Sequence, residues 1–328
     1  HLYNNDGENV CNDYDCIFVM LKDALQNGHT VAVKGIGGYL LMADATNYFA
    51  INTLREKKHR PSKPLAVLYP SIQSVEKDVL VNEKEKEALQ SIVAPIVLCQ
   101  LKEKPTSGIC ADIIAPGLHK IGVMLPYSPL LALIAEQFNK PLIATSGNFS
   151  GSPIIYNDEE ALEYLGEIAD FVLTYDREIV VPQDDSVMQF TPVHKQKIIL
   201  RRSRGLAPNF YPLPFSDNGT QLIAMGAELK SSFALFQNNR CYISQYLGDQ
   251  GSYDAQLSYK HTLNHISRLL RFEADACIVD KHPGYAITEM GKNYAAENAI
   301  PLVEVQHHEA HFAAVLAENN LLETEETV

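Results

Sequence analysis

Apolar side chains at Ile17, Met20, Leu21, Ala24 and Leu25 recur at the three- and four-residue spacing of a helix face, which predicts a helix over 15–29 stopped by Asn27-Gly28. The pattern then shortens. Thr30-Val-Ala-Val33 is an uninterrupted apolar run, read as a buried strand that leads into Lys34-Gly-Ile-Gly-Gly38. Helices are predicted at about 46–58, closed by Pro61, over Glu83–Leu89, and over the acidic stretch at about 158–165. Strand-like runs stand at Leu65–Leu68, Ile96–Leu98, Ile121–Met124, Pro141–Ala144 and Phe171–Thr174. Strands interleaved with helices predict an α/β domain with a twisted mixed sheet.

Asn209–Thr220, with Pro212, Pro214 and Gly219 in it and Pro208 before it, reads as a linker, so domains are expected over 1–212 and 213–328. Beyond it the pattern restarts with strands at Leu222–Met225, Phe233–Phe236 and Cys241–Gln245. A helix (about 254–272), a strand (Cys277–Val279), a helix (about 285–298) and the strand Leu302–Val305 follow, and the acidic tail Glu323–Glu326 is expected to fray.

A hydrophobic content of 46% over 328 residues suffices for two cores. No run reaches the ~20 apolar residues of a membrane span, and the polar start, His1–Asp6, is no signal peptide. Since the chain opens on His1 and not Met, it is read as an excised piece. The six cysteines form no C-x-x-C and read as reduced thiols of a cytoplasmic protein, Cys11 and Cys16 included. The net charge of −13 argues against a general nucleic-acid binder. Residues 1–212 carry 20 Lys+Arg against 25 Asp+Glu, and residues 213–328 carry 7 against 15. Basic clusters on this acidic background are therefore informative.

Four segments at strand or helix ends share one chemical character. After a strand, Lys34 and the glycines around Gly37 and Gly38 can offer charge and backbone N–H groups to an anion, although such a turn is as readily structural. Lys57-Lys-His-Arg-Pro-Ser-Lys63-Pro64 ends a helix, where cations are favoured anyway; Pro61 and Pro64 stiffen it into a positioned loop holding Lys58, Arg60 and Lys63. Thr145-Ser146-Gly-Asn148-Phe-Ser150-Gly151 follows a strand and is rich in donors; a capping turn is the plain alternative. Asp184-Asp185-Ser186 precedes Leu200-Arg201-Arg-Ser-Arg204-Gly, whose guanidinium forks match phosphate oxygens, while the carboxylates suit Arg or Mg²⁺. Together the four predict an anion pocket.

In this order these segments resemble the YrdC family of carbamoyl- and threonylcarbamoyl-adenylate-forming domains. Its K-x-R element falls on Lys58 and Arg60, and its S-x-N element on Ser146 and Asn148. Lys34 to Asn47 (KGIGGYLLMADATN), Gly122–Tyr127 and LRRSRG are more specifically similar to the YrdC-like domain of the HypF carbamoyltransferases of [NiFe]-hydrogenase maturation. The resemblance runs from about residue 15 to 318. It implies binding of ATP or AMP with Mg²⁺, with Lys34, Lys58 and Arg60 catalytic, and with Gly37, Gly38, Lys63, Thr145, Ser146, Asn148, Asp185, Ser186, Arg201, Arg204 and Lys230 holding nucleotide. The implied product is carbamoyl-AMP, made from carbamate derived from carbamoyl phosphate. The implied partner is a HypE-type acceptor, whose C-terminal Cys thiolate takes the carbamoyl group for cyanide-ligand synthesis.

In the second domain, His307 and His311 stand at i and i+4 on one helical face, a spacing that a shared metal needs but that surface pairs also show. The same resemblance implies a partial actin-like (ASKHA, RNase H-like) transfer domain of Kae1 type, with Fe or Zn at this H-x-x-x-H. Gly226–Ser232, including Lys230, resembles its phosphate-facing hairpin, and Asp280–Tyr285 a HypF-type segment. Glu309 stands where the family usually has a middle His. The family's later acidic metal ligand lies beyond this chain, so metal and nucleotide binding there are expected to be incomplete. Three alternatives stay open: threonylcarbamoyl-AMP synthesis for tRNA, O-carbamoyl transfer to a small molecule, and double-stranded RNA binding.

Overall fold

The computed structural model describes residues 1–149, 152–212 and 218–322. Ser150, Gly151, Pro214 and the acidic tail 323–326 lie outside the described residues. The chain divides into two compact units, His1–Leu206 and Ala207–Val328.

In the first unit, twelve strands among the described residues form one sheet. From one edge the spatial order is Lys197–Arg201, Val187–Phe190, Ile96–Leu101, Lys120–Met124, Ala66–Leu68 and Leu142–Ser146. It continues with Tyr39–Asp44, Val31–Lys34, Phe171–Leu173, Leu2–Asn4 and Asn9–Cys11, while Val79–Leu80 pairs with Ile96–Leu101 off this path. Val31–Lys34 runs parallel to Phe171–Leu173 and antiparallel to Tyr39–Asp44, so the sheet is mixed, as the alternating pattern predicts.

Side chains alternate across this sheet into two cores. Tyr39, Leu41 and Ala43 join one core with Ile51 and Leu54 of the helix Tyr48–Lys57. Leu40 and Met42 join the other, with Ile17, Leu21 and Leu25 of the helix Tyr14–Gln26 and Leu131, Ile134 and Phe138 of Pro129–Phe138. Tyr39–Asp44 is buried at every position and therefore lacks a polar/apolar alternation. Neither this central strand nor the helix Pro129–Phe138 is among the elements that the sequence pattern predicts, although Val31–Lys34, equally buried throughout, is.

Among the described residues, the second unit holds a six-stranded sheet. Leu222–Ala224, Ala234–Gln237 and Arg240–Ile243 form an antiparallel meander, and Ala276–Asp280 and Leu302–Val305 continue it in parallel on the other side. Tyr253–Leu270 and Ala286–Glu297 are the connecting helices, with Tyr259, Leu263, Ile287 and Met290 in the core. Asn209–Pro212, the start of the expected linker, is itself a strand paired with Arg240–Ile243. A ladder partner thus outweighs the turn-rich composition around it. Among the described residues, no helix is long and apolar enough to cross a membrane.

Candidate functional site

The helix Tyr48–Lys57 is started by Asn47, whose side chain accepts from the backbone N–H groups of Phe49 and Ala50. It ends at Lys58, because His59 takes a left-handed φ of 51° and turns the chain. The turn aims Lys58 inward and leaves it 1% exposed. Its Nζ donates to the carbonyls of Ser146 and Asn148 and, at 2.8 Å, to Asn148 Oδ1. Ser146 Oγ donates to the same Asn148 oxygen at 2.7 Å, and Arg60 Nη1 donates to Thr145 Oγ1 at 3.0 Å. Helix end and strand end are thereby brought together, uniting Lys58, Arg60, Thr145, Ser146 and Asn148.

Arg55 holds this arrangement from behind. Its guanidinium donates to the carbonyls of Arg60 (2.7 Å) and Lys63 (3.1 Å) in the loop, and to those of Ile113 (2.9 Å) and Ile114 (3.1 Å) from a distant turn. In the sequence Arg55 is one more cation near a helix end, so no signal separates it from its neighbours.

Electrostatics show how many cations meet here. Burial first, then repulsion from Arg60 and Lys63, lower the pKa of Lys58 to about 7, with Asp184 opposing. Burial, then repulsion from Arg55 and Arg201, lower that of Arg60 to about 10, again opposed by Asp184. Arg201 lies 3.7 Å from Asp184 and donates from Nε to the carbonyl of Asp185 at 2.7 Å. Lys58, Arg60, Lys63 and Arg201 thus press on one another, and an anion among them would relieve that repulsion.

Other expected residues serve elsewhere. Lys34, 2% exposed, pairs with Asp158 at 2.7 Å, donates to the carbonyl of Tyr175 at 2.8 Å and lies 5.1 Å from the centre of that ring. Tyr39 also donates to Asp158, at 2.6 Å. Lys34 lines a cavity of about 620 Å³, beside Tyr14, Phe18, Ile36, Leu133 and Arg177, whose lining includes neither Lys58 nor Arg60. The structure therefore does not bring Lys34 together with Lys58 and Arg60; it holds Lys34 against Asp158, a carboxylate far along the chain.

Gly37 and Gly38 permit close packing of protein on protein. A Cβ on Gly37 would fall 2.2 Å from the carbonyl oxygen of Gln183, and one on Gly38 would fall 2.6 Å from Ile154 Cδ1. The N–H of Gln183 donates to the Gly37 carbonyl, so the hairpin sets the path of the chain just before Asp184.

Asp185, Ser186 and Arg204 form a brace. Arg204 donates to Asp185 at 2.8 Å and to the carbonyls of Val93 and Ala94, with its guanidinium 3.5 Å from the centre of the Tyr127 ring. Ser186 is fully buried, donates to the Arg204 carbonyl and accepts from the N–H of Ser203. Among the residues expected to hold nucleotide, these three are therefore tied to one another and to the protein backbone.

In the second unit, the backbone N–H of Lys230 donates to Asp249 at 2.7 Å, and its side chain is exposed. His307 and His311 both lie on the helix His307–Glu318, with their Nε2 atoms 3.1 Å apart. His307 Nδ1 is 2.6 Å from Asp280 Oδ2. Two nitrogens bound at ~2.0–2.1 Å to one ion stand ~2.9–3.4 Å apart for angles between octahedral and tetrahedral. The pair therefore fits two positions of a coordination sphere for Zn or Fe, which imidazole suits. Among the described residues, no group of three or more His, Cys, Asp or Glu able to hold a metal is present, at these histidines or at Cys11 and Cys16.

The Sua5/YciO/YrdC family model, described as telomere recombination, matches residues 23–203, and the HypF Kae1-like domain model matches residues 217–318. Carbamoyltransferase HypF of Synechocystis is 41% identical over 301 residues, covering 92% of this chain and 38% of the relative. A full-length HypF solved in a phosphate- and nucleotide-bound form superposes with a TM-score of 0.87 at 36% identity, over 98% of this chain and 40% of that one. The HypF of T. kodakarensis gives 0.90 at 35% identity, over 98% and 41%. The chain thus spans about two-fifths of the length of these relatives.

Proposed function

The chain belongs to the HypF-type carbamoyltransferases, with a YrdC-like unit preceding a Kae1-like one, and on that premise we propose that its first unit adenylates carbamate. The observation that most supports this reading is the meeting of Lys58 and Arg60 with Thr145, Ser146 and Asn148, with Lys63 near enough to repel Lys58 and Arg201 near enough to repel Arg60. In this reading ATP lays its phosphates among the cations. A carbamate oxygen attacks the α-phosphorus, the bond to the bridging oxygen breaks, and pyrophosphate leaves with its electron pair. Carbamoyl-AMP remains.

Carbamate is already an anion, so no general base is required. What the step needs is in-line placement and neutralisation of charge gathering on the phosphate oxygens. Lys58 and Arg60 would supply that charge from fixed positions in a desolvated setting. Mg²⁺ accompanying ATP would add charge on the pyrophosphate side, where Asp184 is the nearby carboxylate. The carbamate would arise from carbamoyl phosphate by hydrolysis, water adding as phosphate leaves. The whole protein would then pass the carbamoyl group to a HypE-type acceptor: its cysteine thiolate attacks the carbamoyl carbon, the bond to AMP breaks, and a thiocarbamate for the cyanide ligands of [NiFe]-hydrogenase results. His307 and His311 would hold a metal in the transfer unit.

Pyrophosphate release from ATP with Mg²⁺ and carbamate tests the adenylation. Lys58→Ala and Arg60→Ala should each reduce it by roughly 10²–10³-fold, the scale of losing one preorganised charge-stabilising donor. Equal rates in the parent chain and both variants would remove the site assignment.

A further inference from the structure

Asp280 ends the strand Ala276–Asp280 and is paired in register with Val305 of the neighbouring strand. One residue separates Val305 from His307, so the register sets the Asp280 carboxylate against the first turn of the helix that carries both histidines. Both carboxylate oxygens are occupied. Oδ1 accepts from the backbone N–H of His282 at 2.9 Å, and Oδ2 meets His307 Nδ1 at 2.6 Å. The side chain is 7% exposed, which leaves it little freedom to turn.

A carboxylate only accepts, so the nitrogen facing it must carry the proton. In the neutral ring the lone pair of His307 then lies on Nε2, the atom that faces His311 Nε2 at 3.1 Å. We propose that Asp280 is a positioning residue for this pair: it fixes the tautomer and the direction of His307 so that Nε2 is presented, unprotonated, to a divalent transition metal shared with His311. This rests on the reading of His307 and His311 as metal ligands. Outer carboxylates that orient a ligating imidazole in this way set its basicity and tautomer together. The spacing of the two histidines reveals nothing of it, because the carboxylate comes from another strand.

Asp280→Asn separates charge from shape. The amide oxygen can keep the His282 contact, which turns the NH₂ toward His307 Nδ1 and demands a lone pair there. The proton moves to Nε2, the nitrogen that should bind the ion. The experiment has two readouts on the 328-residue chain: long-range ¹H–¹⁵N spectra of the histidine rings without metal, and calorimetric titration with Zn²⁺. The parent should show His307 protonated at Nδ1, and Asp280→Asn should show it protonated at Nε2. Zinc affinity should fall roughly 10–100-fold in Asp280→Asn with the thermal midpoint little changed.

If the parent binds Zn²⁺ and Asp280→Asn binds it equally, or if His307 in the parent is protonated at Nε2, the role of Asp280 is overturned while the metal reading survives. If the parent binds Zn²⁺ no better than a His307→Ala, His311→Ala double variant, the metal reading itself falls, and the role of Asp280 with it.

Discussion

Lys58 is a buried amine held by carbonyl oxygens and crowded by other cations, and its ionisation should be visible in stability. Its folded pKa, about 7, lies below the ordinary 10.5. Below pH 7 both folded and unfolded chains carry the proton, so burial of the charge counts in full against folding. Between about 7 and 10.5 the unfolded chain binds more protons than the folded one, so stability attributable to Lys58 rises with pH, by at most about 1.4 kcal/mol per pH unit. Relative to Lys58→Met, the parent chain should gain stability across that window in urea titrations run at successive pH values. Triphosphate affinity should move the other way, falling as pH rises past 7 and the positive charge is lost. At this scale the grouping of the candidate residues was legible: Lys58, Arg60, Thr145, Ser146 and Asn148, from two separate motifs, meet in the fold. Lys34 stands apart from them, and its partner was not legible, because a glycine run beside a lysine looks the same whether it faces an anion or the side chain of Asp158. Arg55 was invisible for the complementary reason, and so was the tie of Asp280 to His307, although the segment Asp280–Tyr285 stood out, since each acts through an atom far away in sequence.

Elements place the site as much as residues do. The hairpin between Val31–Lys34 and Tyr39–Asp44 brings Gly37 against Gln183, and the chain runs from there into Asp184 and the strand Val187–Phe190. Gly37→Ala would force a Cβ to within 2.2 Å of a backbone carbonyl, which has no rotamer through which to retreat. The two segments must separate, and a loss of roughly 2–4 kcal/mol in unfolding free energy is expected, on the scale of strain and overpacking. Weaker nucleotide binding should accompany it, because Asp184 and Arg201 shift with the Gln183 segment; unchanged stability in denaturant would show that the hairpin yields easily. Strands bounded by clear turns, such as Phe171–Leu173, were readable from the sequence. Tyr39–Asp44, buried throughout like Val31–Lys34, was not, since it follows directly on the glycine run with no turn residues of its own to bound it, and Asn209–Pro212 was hidden by the prolines around it.

On the scale of the whole molecule, the Lys58 cluster belongs entirely to the unit His1–Leu206, and the histidine pair to the unit Ala207–Val328. A chain of residues 1–206 should therefore bind a non-hydrolysable ATP analogue within a factor of about 2 of the 328-residue chain, less than 0.5 kcal/mol apart. Loss of binding in a folded 1–206 chain, seen by calorimetry, would mean that the nucleotide site draws on residues outside this unit. Composition and alternation were enough to anticipate two α/β bodies, because they follow from local pattern. Arg55 shows a dependence that local pattern does not contain. One guanidinium clasps both the loop after its own helix and the turn at 113–114, so neither can drift without dragging the other. If phosphate lies where proposed, sequence change in that remote helical turn, Ala111–Ile114, would retune the hold on a group that the turn itself never meets.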